Sequence, residues 1–225
     1  YLNEASKEKN SQGISAHMAR MEYTMSISWM SFDRSTINWI ASFLKRYSSI
    51  SEVFEIGAGN GLLSALMNHR ETQEKYSFNW WATDTMLGHG SSPEKQYIEV
   101  EELDASQAVS KYGPTSQLMT SIWPSYDESW AGDAIKQFRL LSGVKERFVL
   151  YGGESEGGCT GDDAMFKEFD NHWTIVGKFY CPQWWGLHDY LTLYICNPSE
   201  SYLQIGPLPE NDEDLHSECE SSDED

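Results

Sequence analysis

Val53-Phe54-Glu55-Ile56-Gly57-Ala58-Gly59-Asn60-Gly61 passes from a short apolar run into a turn with glycine at every second position, and Leu62 to Asn68 then reads as a helix. A β-branched and aromatic run that stops at glycine and restarts with helical periodicity is a strand–loop–helix unit. The glycines let the chain turn sharply and bring its backbone against a ligand, while the helix start offers free N–H groups to a polar or negative end. Upstream, Ile27 and Trp29 lead into an apolar stripe in which positions 36, 37, 40, 43 and 44 share one helical face, with Asp33 or Ser35 as its cap. Downstream, strands are expected at Phe78 to Thr83, ending at Asp84, at Tyr97 to Glu101, at Gln117 to Ile122 and at Phe148 to Tyr151. Helices are expected at Glu128 to Leu141 and Asp162 to Phe169. The spacing suits parallel strands with crossovers, closed by two strands, Trp173 to Tyr180 and Tyr190 to Cys196, that form a terminal hairpin.

A glycine turn of this kind also suits a dinucleotide, but three details favour S-adenosylmethionine. An acid, Glu55, precedes the first glycine by two positions; the spacing is G-x-G-x-G; and the second strand ends in Asp84. In that arrangement Glu55 organises the methionine amino end, residues 57–61 (Gly57, Ala58, Gly59, Asn60, Gly61) form the cradle, and Asp84 accepts from the ribose hydroxyls. Asp104, after the third strand, is placed to hold the adenine amino group, and the small Ala105 leaves room for the ring. A dehydrogenase fits poorly, because the glycine spacing and the terminal hairpin differ from a dinucleotide sheet.

Ligands of parallel α/β sheets sit beyond the carboxyl ends of the strands, so the later loops are where chemistry is expected. The fourth strand runs into Ser121-Ile122-Trp123-Pro124-Ser125-Tyr126-Asp127. This resembles the [D/N/S]-P-P-[Y/F] loop of amino-group N-methyltransferases, with Pro124 and Tyr126 carried over, Trp123 in place of the polar residue and Ser125 in place of the second proline. The fifth strand leads into a loop of glycines beside carboxylates, residues 152–163, in which Glu154 and Glu156 are candidates to neutralise or accept from a substrate amine and Thr160 or Asp162 caps the next helix. Its acids match no calcium-loop spacing, and no metal is expected. In the hairpin connection Cys181-Pro182-Gln183-Trp184-Trp185-Gly186-Leu187-His188-Asp189, His188 beside Asp189 is a candidate general base.

Five blocks, ISWMSFDRSTINWI, FEIGAGNG, SIWPSYDESWAGDAI, YGGESEGGCTGDDAMF and PQWWGLHDYLTLY, occur in order over roughly residues 25 to 196. Together they resemble a poorly characterised family of methyltransferase-like proteins with the patterns S-W-P-P-Y, G-E-G-x-G-G-C-T-G-D-D and P-x-W-x-G-x-H-D-x-L. The resemblance implies a Rossmann-like class I methyltransferase fold: an α/β, seven-stranded, mostly parallel sheet with a C-terminal antiparallel hairpin and helices on both faces. It also implies an S-adenosylmethionine site, without naming a substrate. Against this pattern Trp123 is in place and Ser125 is the change. The function expected is an S-adenosylmethionine-dependent methyltransferase directed at nitrogen, shaped at the acceptor by Trp123, Pro124 and Tyr126; the alternative is an inactive methyltransferase-fold subunit or binding module.

Composition limits the acceptor. With 16 Lys and Arg against 35 Asp and Glu, a net charge of -19 excludes a phosphate-binding footprint of its own, so nucleic acid is expected only through a basic partner. An acidic surface with 13% aromatic residues suits a basic peptide or a small amine. Organisation is expected as a polar segment 1–24, a domain 25–197 and an acidic tail 198–225 that stays disordered and offers a docking or phosphorylation site for a protein partner. Cys159, Cys181, Cys196 and Cys219 show no C-x-x-C spacing, which suits a reduced, intracellular setting, cytoplasmic or nuclear. No apolar run approaches the roughly 20 residues of a membrane span, and a start at Tyr1 without Met leaves the native N-terminus and its targeting open.

Overall fold

A computed structural model describes residues 17–47, 50–69, 78–87, 93–143 and 146–198. Residues 1–16 and 199–225 lie outside them, and with them nearly all of the expected acidic tail. The elements in chain order are α1 (17–26), α2 (Arg34–Arg46), β1 (Glu52–Ile56), α3 (Leu62–Met67), β2 (Asn79–Asp84), β3 (Val100–Glu102), α4 (Ala105–Tyr112), β4 (Leu118–Ile122), α5 (Trp130–Leu140), β5 (Arg147–Gly153), α6 (Asp163–His172), β6 (Thr174–Tyr180) and β7 (Tyr190–Cys196). A short 3-10 turn, Pro93–Lys95, precedes β3.

The seven strands form one sheet in the order β3-β2-β1-β4-β5-β7-β6. β1 to β5 are parallel, and β7 runs antiparallel between β5 and β6. An antiparallel strand inserted beside the last parallel one gives the Rossmann-like sheet of class I methyltransferases, as expected from the terminal hairpin. The period-2 alternation of β1 then sets its two faces. Val53 packs into a core with Trp39, Ile40, Phe43 and Leu44 of α2 and Leu63 of α3. Phe54 and Ile56 pack into the opposite core with Ala108 and Val109 of α4, Ile135 and Phe138 of α5 and Phe169 of α6. Helices therefore cover both faces, and the parity of β1 sends Glu55 to the α3 side.

Asp33 caps α2, its carboxylate accepting from the Thr36 amide at 2.8 Å, with the reciprocal Thr36 bond completing a capping box. Asp162 caps α6 by accepting from the Met165 amide at 2.8 Å. Two differences from the sequence reading have local causes. The third strand begins at Val100 rather than Tyr97, because the Tyr97 amide donates to the Asn60 carbonyl at 2.9 Å and is drawn to the glycine loop instead of the ladder. Residues 17–26 form a helix where no periodicity is visible, since Met18, Met21 and Met25 remain exposed and no continuous apolar stripe marks the buried side.

Arg147, 1% exposed at the start of β5, donates to the carbonyls of Gly113, Ser116 and Leu141 and lies 4.6 Å over the Phe138 ring. It ties three chain turns together at the amino end of the sheet. Arg147→Ala removes the donors and leaves buried carbonyls bare, which is expected to cost about 3–5 kcal/mol, read as a lowered denaturant midpoint; a loss below about 1 kcal/mol refutes this account.

Candidate active site

Strand order reverses at β1, between β2 and β4, and the crevice of such a sheet opens there. The glycine loop fills one side of it. Its Ala58 amide donates to the Thr83 carbonyl and its Gly59 amide donates to Asp84 Oδ2, both at 2.9 Å, so the ends of β1 and β2 are stitched together. The other oxygen, Oδ1, accepts from the Met86 amide at 2.7 Å, an Asx turn that holds Met86 at φ 59. Gly61, at φ +75, has no room for a Cβ, which would lie 2.8 Å from Ile98 and 2.9 Å from Val100. A Cβ on Gly59, at φ +58, would meet nothing within 4 Å, so that position faces open space.

Glu55 is 3% exposed, and Ser64 of α3 donates to its Oε2 at 2.5 Å. Burial pushes its carboxyl up to about 7, with the Ser64 bond opposing the rise and the nearby Asp84 charge adding to it. The Leu103 amide donates to the Asp84 carbonyl at 3.1 Å, which brings the start of α4 with Asp104 to the same end of the sheet. The Asp104 carboxylate caps α4 through the Gln107 amide at 2.8 Å, and Ala105, half-buried, is the first residue of that helix. Facing Glu55 and residues 57–60 across the cleft are Thr24, Ile27, Ser28, Trp29 and Phe32, and the space between is about 40 Å³.

The second half of the crevice is built from the loops after β4 and β5 and the residues before β7. Trp123 has φ 53, rare for an aromatic residue, fixed where its amide donates to the Gly152 carbonyl at 2.7 Å. Its indole Nε1 donates to Asp189 Oδ1 at 3.0 Å and its ring stacks on Trp29, centroids 5.9 Å apart. Pro124 is buried and its carbonyl accepts from the Gly161 amide at 3.1 Å, while Tyr126 is 66% exposed. The predicted loop therefore divides: Trp123 faces the site, Pro124 O is occupied by the neighbouring loop, and Tyr126 lies out in solvent.

Glu154 and His188 do come together. Glu154 is 7% exposed; its Oε2 accepts from the Cys159 amide and thiol at 2.8 and 2.9 Å, and its Oε1 accepts from the His188 amide at 3.0 Å. Burial raises the carboxyl, but these bonds win and hold it below the usual glutamate value. Glu154 thus clamps the β5 loop to the hairpin with both oxygens engaged. It also raises the Cys159 thiol to about 11, which keeps that thiol protonated. The His188 side chain is 70% exposed, with Nδ1 at 3.9 Å from Glu154 Oε1, and Glu156 is exposed.

No protein-family model and no curated protein matches the chain. Among solved structures it is similar to an rRNA methylase from Streptococcus thermophilus, at 14% identity and a TM-score of 0.47 over 75% of this chain and 100% of that one. It is also similar to the N-methyltransferase NodS from Bradyrhizobium japonicum in complex with S-adenosyl-L-homocysteine (16%, TM-score 0.48, 74% and 90%). A third is magnesium protoporphyrin IX methyltransferase from Synechocystis with bound SAM (13%, TM-score 0.45, 80% and 96%).

Three participants stood outside the sequence-predicted set. Asp189, fully buried, replaces its exposed neighbour His188 at the centre of the hairpin end; burial lifts its carboxyl to about 6, opposed by the Trp123 bond and raised further by Glu154. Ser121, at the end of β4, has a buried hydroxyl without a hydrogen-bond partner among the described residues. Arg20 of α1 lies with its guanidinium carbon 5.0 Å from the Trp123 ring centroid and 5.9 Å from that of Trp29. The one available signal was His188-Asp189 as an adjacent pair; burial decides which of the two is inside.

Proposed function

We propose that this chain is an S-adenosylmethionine-dependent methyltransferase directed at nitrogen, with a basic peptide or small amine as acceptor. The observation that carries the reading is the buried Glu55, the glycine loop and Asp84 brought together at the carboxyl ends of β1 and β2. These residues fit the cofactor chemically. Glu55 offers a buried carboxylate to an ammonium group, Gly59 lets the backbone approach without a side chain, and Asp84 stands at the end of β2 with lone pairs for ribose hydroxyls. Asp104 and Ala105 border the same end for an adenine ring. Nucleotide-sized pockets hold about 300–1,000 Å³, against about 40 Å³ here, so entry requires residues 24–32 to move off the glycine loop.

When bound, S-adenosylmethionine supplies an electrophilic methyl group on a sulfonium. The chain's part is then to hold a nitrogen lone pair in line and to receive its proton. Trp123 gives the acceptor a planar wall. Asp189, inside and with Oδ2 unpartnered among the described residues, is placed better than the exposed His188 to take the proton. Pro124 shapes the site through the backbone, and Glu154 holds the two loops in register.

The test is calorimetric titration of the full chain with S-adenosylmethionine and S-adenosylhomocysteine beside NAD. Micromolar binding of the first two alone is the expected result. Binding of neither moves the assignment to an inactive methyltransferase-fold subunit, a reading the narrow cleft also favours. The pH dependence is a second test. An ammonium group pairs with ionised Glu55, whose pKa is near 7 in the free protein; affinity is expected to fall roughly tenfold from pH 8 to pH 6, with proton release on binding near pH 6. Glu55→Gln should bind more weakly at pH 8 and lose this dependence, and an unchanged slope in the variant contradicts the assignment.

A further inference from the structure

We propose that Trp29, Trp123 and Asp189 form a binding site for an alkylguanidinium cation, and that Arg20 occupies it in the resting chain. The inference deepens the acceptor reading above and rests on it for the fate of the bound cation. Two indoles stand 5.9 Å apart with an interplanar angle of 18°, and the Arg20 guanidinium lies within 6 Å of both ring centroids. A planar, weakly hydrated guanidinium is the cation best matched to such faces, and a compact ammonium is matched less well.

The present occupant fits only in part. Arg20 Nε is buried with no hydrogen-bond partner among the described residues, and the same is true of Asp189 Oδ2, on the carboxylate that Trp123 holds by its other oxygen. The unpaired carboxylate oxygen calls for a donor, which a guanidinium supplies, while Arg20 on leaving returns its own unpaired Nε–H to water. Arg20 is tethered to α1 and reaches the indoles without donating to Asp189, whereas an untethered alkylguanidinium can stack on the ring and donate to the carboxylate together. The Trp123 bond to Asp189 Oδ1 ties this carboxylate to the same indole that the Arg20 guanidinium lies against. Trp29 belongs both to this cage and to the wall of the cleft at the glycine loop, so a cation held here lies beside the proposed methyl donor.

The site is tested without cofactor. Wild type and Arg20→Ala are titrated with ethylguanidinium, with an arginine-containing peptide and with butylammonium, followed by tryptophan fluorescence and calorimetry. Arg20→Ala is expected to bind the guanidinium ligands about tenfold more tightly than wild type, because an occupant that fills nine-tenths of the sites lowers apparent affinity by that factor. Butylammonium should bind more weakly than ethylguanidinium, and Arg20→Ala/Asp189→Asn should lose the gain while keeping the fold by circular dichroism. Peptide binding well above that of ethylguanidinium marks a polypeptide arginine as the source, and equal binding marks a small guanidine. Equal affinity in wild type and Arg20→Ala, or no guanidinium binding to either, overturns the proposal. A chain that binds S-adenosylmethionine but no guanidinium loses this inference alone; one that binds guanidinium but no S-adenosylmethionine loses the transferase reading alone.

Discussion

Asp84→Ala is expected to weaken S-adenosylmethionine binding at least about 100-fold, because this carboxylate has two duties that fail together. It receives the Gly59 amide at 2.9 Å and the Met86 amide at 2.7 Å, and so fixes the turn on which the cofactor would lie. In the proposed complex it also accepts from the ribose hydroxyls. Hydrogen bonds to a charged group contribute about 1.5–3 kcal/mol each, so losing the ribose contacts alone accounts for a factor near 100, and release of the glycine loop adds to it. The fold itself should survive, since Asp84 lies at a strand end and the core packing of β2 rests on Trp80 and Ala82. Calorimetry on the folded variant decides the matter. An affinity within threefold of wild type removes Asp84 from the pocket and the G-x-G-x-G reading with it.

What was legible in the sequence was local. The glycine loop, the strand before it and the acid at the end of β2 are written in consecutive residues whose backbone demands leave few alternatives. The terminal hairpin is legible for the same reason: β6 and β7 are rich in aromatic and β-branched residues and are joined by a short connection carrying Pro182 and Gly186. The acceptor side was not, because it is made by contacts between distant segments. Trp184 Nε1 donates to Ser31 Oγ across 153 residues, and Trp123 reaches Asp189 across 66. No periodicity announces such pairs. The same holds for Arg20, which stands on a helix whose exposed methionines hide its pattern, yet supplies the cation at the centre of the site. Tyr23 and Thr24 on the same helix also reach the crevice, through Trp184 and through the wall of the cleft at the glycine loop.

Asp189→Asn is expected to make the protein more stable and less able to act. Burial raises the folded-state carboxyl to about 6, with Glu154 adding to the rise and Trp123 opposing it; the ordinary value is near 3.9. A carboxyl with a raised folded pKa contributes most while it is protonated, below about pH 4, and that contribution is lost as pH climbs through 6. At pH 8 the deficit is of order 2–3 kcal/mol. Asparagine carries no charge into the interior and still accepts the Trp123 indole N–H, so the variant should unfold at higher denaturant at pH 8 and lose its advantage at pH 4. The same substitution removes the oxygen assigned to the acceptor's cation and proton, so methyl transfer to a guanidinium or amine should fall by at least about 100-fold. A site that stores destabilising charge in order to bind or react behaves this way, whereas a structural aspartate does not. If the variant is less stable at pH 8 than wild type, Asp189 is part of the scaffold, and both the cage and its proton acceptor must be sought elsewhere.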